Sequence, residues 1–303
     1  MSIELSAIIC TYNRADYLRK SLASLAEQTL STDRFEIIVV DNNSNDDTKA
    51  VVQEEYAYVP NLRYIFEPVP GLSKARNTGW QNANGKYIAF LDDDAVATLR
   101  WAEIYMEVFQ NWEPTPGCSG GKAEPIWEVP QPEWLSDRLL SILSVYDWSA
   151  EPKILTGSEW IAGCNIAYPR TVLEEFGGFR EDLGRVGKKL LSGEEIYLRK
   201  QIDAANYTTV YHPEIKIGHH ISPSRLQKDW FRRHAFGTGQ TQVIIERLTN
   251  TGNHDNRLLI SLRKVGWIIP RLLLILITRN PANRFRREYQ VREVVGYLSA
   301  LWS

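Results

Sequence analysis

Between residues 5 and 91 the chain alternates short apolar runs with stretches in which apolar residues recur at helical spacing. LSAIIC (5–10), FEIIVV (35–40), LRYIF (62–66) and KYIAFL (86–91) are nearly continuous in apolar residues. Strands covered by helices on both faces of a parallel sheet have this composition, because neither face is left to water. Leu18, Leu22 and Leu25 are four and three apart and share one face of a predicted helix. SNDDTKAVVQEE opens with Ser44 and Asp47 in the pattern of a capping box and predicts a second helix start. The alternation as a whole predicts an α/β fold, a doubly wound and mostly parallel sheet.

Ligands of such sheets bind outside the carboxyl ends of the strands. Here those ends carry TYNR (Thr11 to Arg14), DNNSNDD (Asp41 to Asp47) and Asp92 to Asp94, three polar segments that should meet on one edge. Residues 113–160 then become rich in Pro and Trp with weak periodicity. Trp127, Trp134, Trp148 and Trp160 offer flat faces for stacking on sugar rings, or core area for a small domain. WIAGCNIAYPRTVLEEFGGF (160–179) predicts a strand, a turn at Pro169, a short helix and a Gly-Gly stop.

Near the C-terminus, LLISLRKVGWIIPRLLLILIT (258–278) is strongly apolar, but Arg263, Lys264 and Arg271 leave no run of about 18 uncharged residues, so it should not span a bilayer. Arg279, Arg284, Arg286 and Arg287 follow it. The segment reads equally as an interfacial helix on an anionic membrane, a core helix or a homodimer contact.

Charge narrows the partners: 35 basic against 37 acidic residues, a formal net charge of −2, excludes a nucleic-acid binder held by bulk electrostatics. Cys10, Cys118 and Cys164 are odd in number and far apart, which argues against a disulfide framework or zinc site and for a reducing compartment. Met1 to Leu5 lead into strand-like sequence without a signal-peptide pattern, so a cytoplasmic location is expected.

The chemistry concentrates in IAFLDDDAVA (88–97). If the strand continues through the acids, its period of two places Asp92 and Asp94 on one face and turns Asp93 away. Such a pair suits a hard divalent cation, Mg²⁺ or Mn²⁺, whose shell is completed by phosphates and water; the bland alternative is a solvated turn or a cap for the helix near Trp101. Asp41 could accept hydrogen bonds from a uracil-like base or a ribose, or close an Asx-turn. In GLSKARNTG (71–79), Lys74 and Arg76 could neutralise a diphosphate.

AIICTYNRADYLRKSLASLAEQ, EIIVVDNNSNDDT, GLSKARNTG, YIAFLDDDA and AGCNIAYPRTVLEEFGGF stand together in an order and spacing that resemble family 2 glycosyltransferases of the GT-A fold, over roughly residues 3–240. The resemblance implies a domain at 1–222, with a donor half (1–112) and an acceptor half (113–222), followed by a helical C-terminal region (223–303). It implies a nucleotide-sugar site lined by Thr11, Tyr12, Arg14, Asp41, Arg76, Asp92 and Asp93, with Lys74 and Trp160 as further candidates. Asp92 and Asp94 would form the DxD pair, Asp94 touching Mn²⁺ or Mg²⁺ directly. In SGEEIYLRK (192–200) it implies Glu195 as catalytic base and Glu194 as substitute, although Ser192 and Glu195 also fit a capping box. In IKIGHHISPSR it places His219 and Arg225 near the metal or diphosphate, with His220 competing for the ligand role. WFRRHAFGTGQT, with Arg232 and Arg233 before a Gly-rich turn, is either a lid or a solvated helix face.

The implied reaction is metal-dependent, inverting transfer of one sugar from a nucleotide sugar, UDP-linked by preference, to a saccharide or lipid-linked acceptor. A sugar nucleotidyltransferase should carry a Gly-rich basic loop where this chain has CTYNR, and a dinucleotide oxidoreductase G-x-G-x-x-G after its first strand. A processive synthase should carry Q-x-x-R-W and several spans, absent here. A nucleotide-sugar-binding protein without catalysis is the non-enzyme alternative.

Overall fold

The computed structural model describes residues 2–185, 192–251 and 256–303. The chain divides into two compact units, one of residues 1–126, 144–181 and 198–220, the other of residues 127–143, 182–197 and 221–303.

The first unit holds the sheet. Strands β1 (Leu5–Thr11), β2 (Phe35–Asp41), β3 (Leu62–Phe66) and β4 (Tyr87–Leu91) lie in the order β3-β2-β1-β4, all parallel. All four coincide with the predicted runs. Registration of Leu5 with Phe35 brings Thr11 level with Asp41, so the two polar loops leave the sheet side by side. Beyond β4 come β5 (Ala95–Ala97), β6 (Cys118–Trp127), β7 (Lys153–Ile154), β8 (Asn165–Pro169) and β9 (Thr209–Ile221), in the order β4-β8-β6-β9-β5, with β7 also on β9. The pairs β4–β8, β6–β8, β5–β9 and β7–β9 are antiparallel. Several of these strands are short or rich in Ala and Gly, so they lack the β-branched runs that mark the parallel half.

Helix α1 (Ala15–Ala26) buries Leu18, Leu22 and Leu25 against the sheet, as their spacing predicts. Helix α2 (Thr48–Ala50), continued by a π turn at Val51–Glu55, does not begin with the Ser44–Asp47 capping box. Instead Asp46 accepts the N–H of Thr48 at 3.1 Å and that of Ala15 at 2.9 Å, while the Ser44 hydroxyl accepts the N–H of Asn13 at 2.9 Å. Parallel pairing of β1 and β2 places these loops within reach of each other, and bonds across the loops replace the local cap.

Helix α3 (Leu72–Gln81) lies so close to the sheet that a Cβ on Gly79 would come within 2.6 Å of Ile8 Cγ2. Helix α4 (Trp101–Asn111) is anchored at its buried end by Asn165: the Trp101 indole and Tyr105 hydroxyl donate to its Oδ1 at 2.8 and 3.1 Å, and its Nδ2 donates to the Ile215 carbonyl at 2.9 Å. Helix α5 (Arg170–Phe176) follows Pro169 and stops at Gly177, whose φ of +75° only glycine adopts without strain, with the Gly178 N–H returning to the Leu173 carbonyl at 2.9 Å. Strand, helix and stop are all as predicted.

Helix α6 (Glu194–Ala204) has its first turn in the second unit. That unit otherwise consists mainly of α7 (Lys228–Leu248), α8 (Arg257–Ile277) and α9 (Pro281–Trp302). The Gly-rich stretch after Arg232 and Arg233 is not a turn: Gly237 and Gly239 are buried inside α7. A Cβ on Gly239 would fall 1.9 Å from the Glu293 carbonyl oxygen, and one on Gly296 2.0 Å from that of Phe236. The glycines therefore let two helix backbones touch. Trp134 packs edge-on against Phe231 and Phe285, with ring centroids 5.2 and 4.6 Å away, so it supplies core area.

Asn165→Ala should leave three buried polar groups without their partner and destabilise the protein by about 3 kcal/mol. Urea denaturation checks this; a midpoint equal to the parent's would show that these bonds are replaceable.

Candidate active site

Strand β4 ends at Leu91, and the Ala95 N–H closes a turn on the Asp92 carbonyl at 3.0 Å. The period-two alternation predicted for the three acids therefore fails, because it holds only for extended chain. Asp93 does not turn away: Arg14 Nη1 donates to Asp93 Oδ1 at 2.6 Å and Nη2 to Asp94 Oδ2 at 2.8 Å, so one guanidinium holds both. The Thr11 hydroxyl donates to Asp93 Oδ2 at 2.8 Å. Below the turn, the buried Ser21 hydroxyl sits among the carbonyls of Asp92 (3.1 Å), Asp93 (3.0 Å) and Ala95. Burial pushes the Asp93 carboxyl up to about 7, against the pull of the Arg14 guanidinium.

Pairing of β5 with β9 sets Ala95 opposite His219, and His219 Nε2 lies 3.2 Å from Asp94 Oδ1. The next residue points elsewhere: the His220 ring meets Tyr17 of α1 edge-on at 5.6 Å, while its N–H donates to the Asp94 carbonyl at 2.8 Å. Strand alternation thus sets His219 against the Asp94 carboxylate.

Asp92 faces a different cation. Arg76 Nη2 is 3.4 Å from its Oδ1 and donates to the Gly163 carbonyl at 3.2 Å. Arg76 is only 3% exposed, and a Cβ on Gly163 would lie 2.6 Å from Nη2, so this arginine is built into the protein beneath Asp92. Lys74 is half-buried and lies 3.5 Å from Glu181.

Asp41 is buried, with Oδ1 accepting the Ser44 N–H at 2.8 Å and Oδ2 accepting the Tyr64 hydroxyl at 2.7 Å. It therefore closes its loop; each oxygen keeps a second lone pair. Asn13, at φ +53°, latches the two loops through the Asn45 N–H at 2.8 Å. Tyr12 beside it is 53% exposed. Trp160 accepts the Trp148 indole N–H on its carbonyl at 2.7 Å and packs on Tyr146.

Glu194, Glu195 and Arg225 belong to the second unit. The Gly193 carbonyl takes the first helical bond of α6, from the Tyr197 N–H at 2.8 Å. A Ser192–Glu195 capping box needs the helix to open one residue earlier, so that pattern is not the start of α6. Glu194 is buried and accepts the Gly193 N–H at 3.0 Å, whereas Glu195 is half-buried. The Arg225 guanidinium lies over the Trp230 ring at 5.5 Å.

Residues 6–123 match the family model described as glycosyl transferase family 2. The chain is a glycosyltransferase whose residues 6–123 carry the family 2 pattern. It is 23% identical, over 89% of its own length and 86% of the relative's, to the glucosyl-dolichyl phosphate glucuronosyltransferase of Haloferax volcanii. Its fold is that of the mannosyltransferase PcManGT from Pyrobaculum calidifontis, solved with GDP-Man and Mn²⁺ (TM-score 0.62, 18% identity, covering 98% of this chain and 88% of that one). It is also that of S. aureus TarS 1-349, solved with UDP (TM-score 0.56, 18% identity, 99% and 91%). The transferase accordingly has the GT-A architecture.

No group of three His, Cys, Asp or Glu side chains that could cage a metal occurs among the described residues of the transferase. The donors that do converge are Asp94 Oδ1 and His219 Nε2, 3.2 Å apart. Two ligands about 2.1 Å from one ion and at right angles to each other are about 3.0 Å apart, so this carboxylate and imidazole fit two sites of an octahedral shell completed by phosphate and water. Ser21, Gly163 and Asn165 support the site of the transferase without a sequence signal of their own. Each looks like an ordinary helix or strand residue until its partner, 50 to 87 positions away, is known.

Arg14→Gln should leave the Asp93 and Asp94 carboxylates without their shared cation, costing about 2 kcal/mol at pH 8. Because the folded pKa of Asp93 is raised, its contribution is fully present below the ordinary carboxylate value and lost as pH rises through about 7, so the variant should lose less at pH 5 than at pH 8. Denaturation midpoints at the two pH values check this; an equal loss would contradict the assigned pairing.

Proposed function

We propose that this transferase moves a single sugar from a nucleotide sugar, UDP-linked by preference, to a saccharide or lipid-linked saccharide, with inversion at the anomeric carbon. The observation that carries the reading is the convergence of the Arg14-bound Asp93 and Asp94 with His219 at the carboxyl end of β4, where an α/β sheet binds its ligand. Thr11, Tyr12, Arg14 and Asp41 line the nucleotide side in this reading, and Arg76 fixes Asp92 from below.

A divalent ion, Mn²⁺ or Mg²⁺, belongs to the same reading, held by Asp94 and His219 with Asp92 beside them. When bound, it offsets the charge that builds on the departing diphosphate. Glu195 takes the proton of the acceptor hydroxyl as that oxygen attacks the anomeric carbon. The bond from this carbon to the diphosphate oxygen breaks, and its electron pair leaves on the diphosphate. Attack opposite the leaving group inverts the centre. Supporting Glu195 is its place in the first turn of α6, where backbone N–H groups favour the ionised carboxylate that a base requires. Glu194, buried against the Gly193 N–H, is the substitute.

The lipid-linked acceptor is supported by the name of the Haloferax relative, and the UDP donor by the UDP bound to TarS. The GDP-Man of the mannosyltransferase makes a guanine donor the comparison to run beside it. Three free cysteines accord with action in the reducing cytoplasm.

Incubating the purified protein with UDP-, GDP- and dTDP-sugars and Mn²⁺ or Mg²⁺ should release nucleoside diphosphate, fastest from one UDP-sugar. Asp94→Ala and Glu195→Gln should each lower turnover at least about a hundredfold while circular dichroism stays that of the parent. Undiminished turnover in both variants would overturn the assignment.

A further inference from the structure

We propose that α8 lies flat on an anionic lipid bilayer and docks the transferase there. The proposal stands on the second unit alone and holds whichever donor or acceptor is used. Leu258, Leu262, Val265, Ile269, Leu272 and Leu276 recur at spacings of three and four, form one stripe along α8, and are all exposed. Leu276 and Ile277, at its end, are 77% and 74% exposed, and no residue of α8 is buried. A soluble monomer rarely leaves so long an apolar stripe in water.

The opposite side of the helix is already used. Ile260, Lys264 and Trp267 line, with Gln242, Val294 and Tyr297, a cavity of about 580 Å³. The Lys264 ammonium lies 4.0 Å above the Tyr297 ring, and the Trp302 indole donates to the Ser261 hydroxyl at 2.9 Å. Packing on α9 therefore holds α8 by its back and leaves the stripe outward.

Charge identifies the occupant. From Arg257 to Arg287 the sequence carries eight basic residues and no acidic one. Arg257, Arg263, Arg279 and Arg284 are exposed. Two copies packed through this stripe would bring two such segments together without a carboxylate from either, whereas anionic headgroups supply the missing charge at the level where the apolar residues enter. Among the described residues no helix is long and apolar enough to cross a membrane, so α8 would lie in the interface plane.

Flotation of the full chain with vesicles tests this. Vesicles of phosphatidylcholine with about one-third phosphatidylglycerol should carry the protein, pure phosphatidylcholine should not, and raised salt should release it. Ile269→Glu with Leu276→Glu should weaken binding at least about tenfold, and so should Arg279→Glu with Arg284→Glu. Release of diphosphate from the nucleotide sugar in free solution should stay at the parent rate in both variants, which separates failure here from failure of the assigned reaction. Equal binding to neutral vesicles, or no loss in the leucine and isoleucine variant, would overturn the proposal. So would sedimentation of the parent as a dimer that the same variant dissociates, if vesicles bind neither form.

Discussion

Two buried carboxylates side by side at a strand end need something to offset their repulsion and their loss of water, and Arg14 supplies part of it, burial still pushing the Asp93 carboxyl up to about 7. The Arg14 guanidinium matches the requirement geometrically, since a planar fork can give one N–H to Asp93 and another to Asp94. The tight turn at Asp92–Ala95 and the arginine depend on each other. Without the turn, alternating side chains would not reach one cation; without the cation, the turn would bury like charges. The position of Arg14 follows in turn from the parallel register of β1 and β2, which ties the loop after β1 to the loop after β2.

The two histidines show how one strand resolves what composition leaves open. His219 and His220 are equivalent as neighbours in sequence, but antiparallel pairing of β9 with β5 sends one ring to the Asp94 carboxylate and the other to Tyr17. In the proposed reading this carboxylate and imidazole, 3.2 Å apart, would begin a metal shell whose remaining ligands come with the substrate. Arg76, a candidate in its basic, Gly-flanked segment for neutralising a diphosphate, also serves a neighbouring carboxylate. Buried against Gly163 and two aromatic rings, it braces Asp92 and contributes a fixed positive charge below the site.

The second unit follows other rules. Its glycines lie where α7 and α9 touch backbone to backbone, and its aromatic residues fill a compact core around Phe231 and Phe285. The outward apolar stripe of α8 does not take part in that core, and it stands on a segment whose charged residues are all basic. A stripe and a charge excess on the same segment constrain each other: hydrophobic pairing with another copy is opposed by repulsion, and solvation by water is opposed by the leucines.

Much of this was legible along the chain because it depends on local repetition. The four parallel strands, the buried face of α1, and the strand, turn and Gly-Gly stop around β8 and α5 are written in apolar runs, three-and-four spacing and turn residues. The ordered motifs likewise pointed to family 2 glycosyltransferases, since order and spacing survive in one dimension. Tertiary structure alone decided how Asp92, Asp93 and Asp94 divide between Arg76 and Arg14, why Asp46 rather than Ser44 caps its loop, and which histidine meets Asp94. Each outcome is set by a partner tens of residues away, and the side-chain periods that make a sequence readable end where a strand becomes a turn.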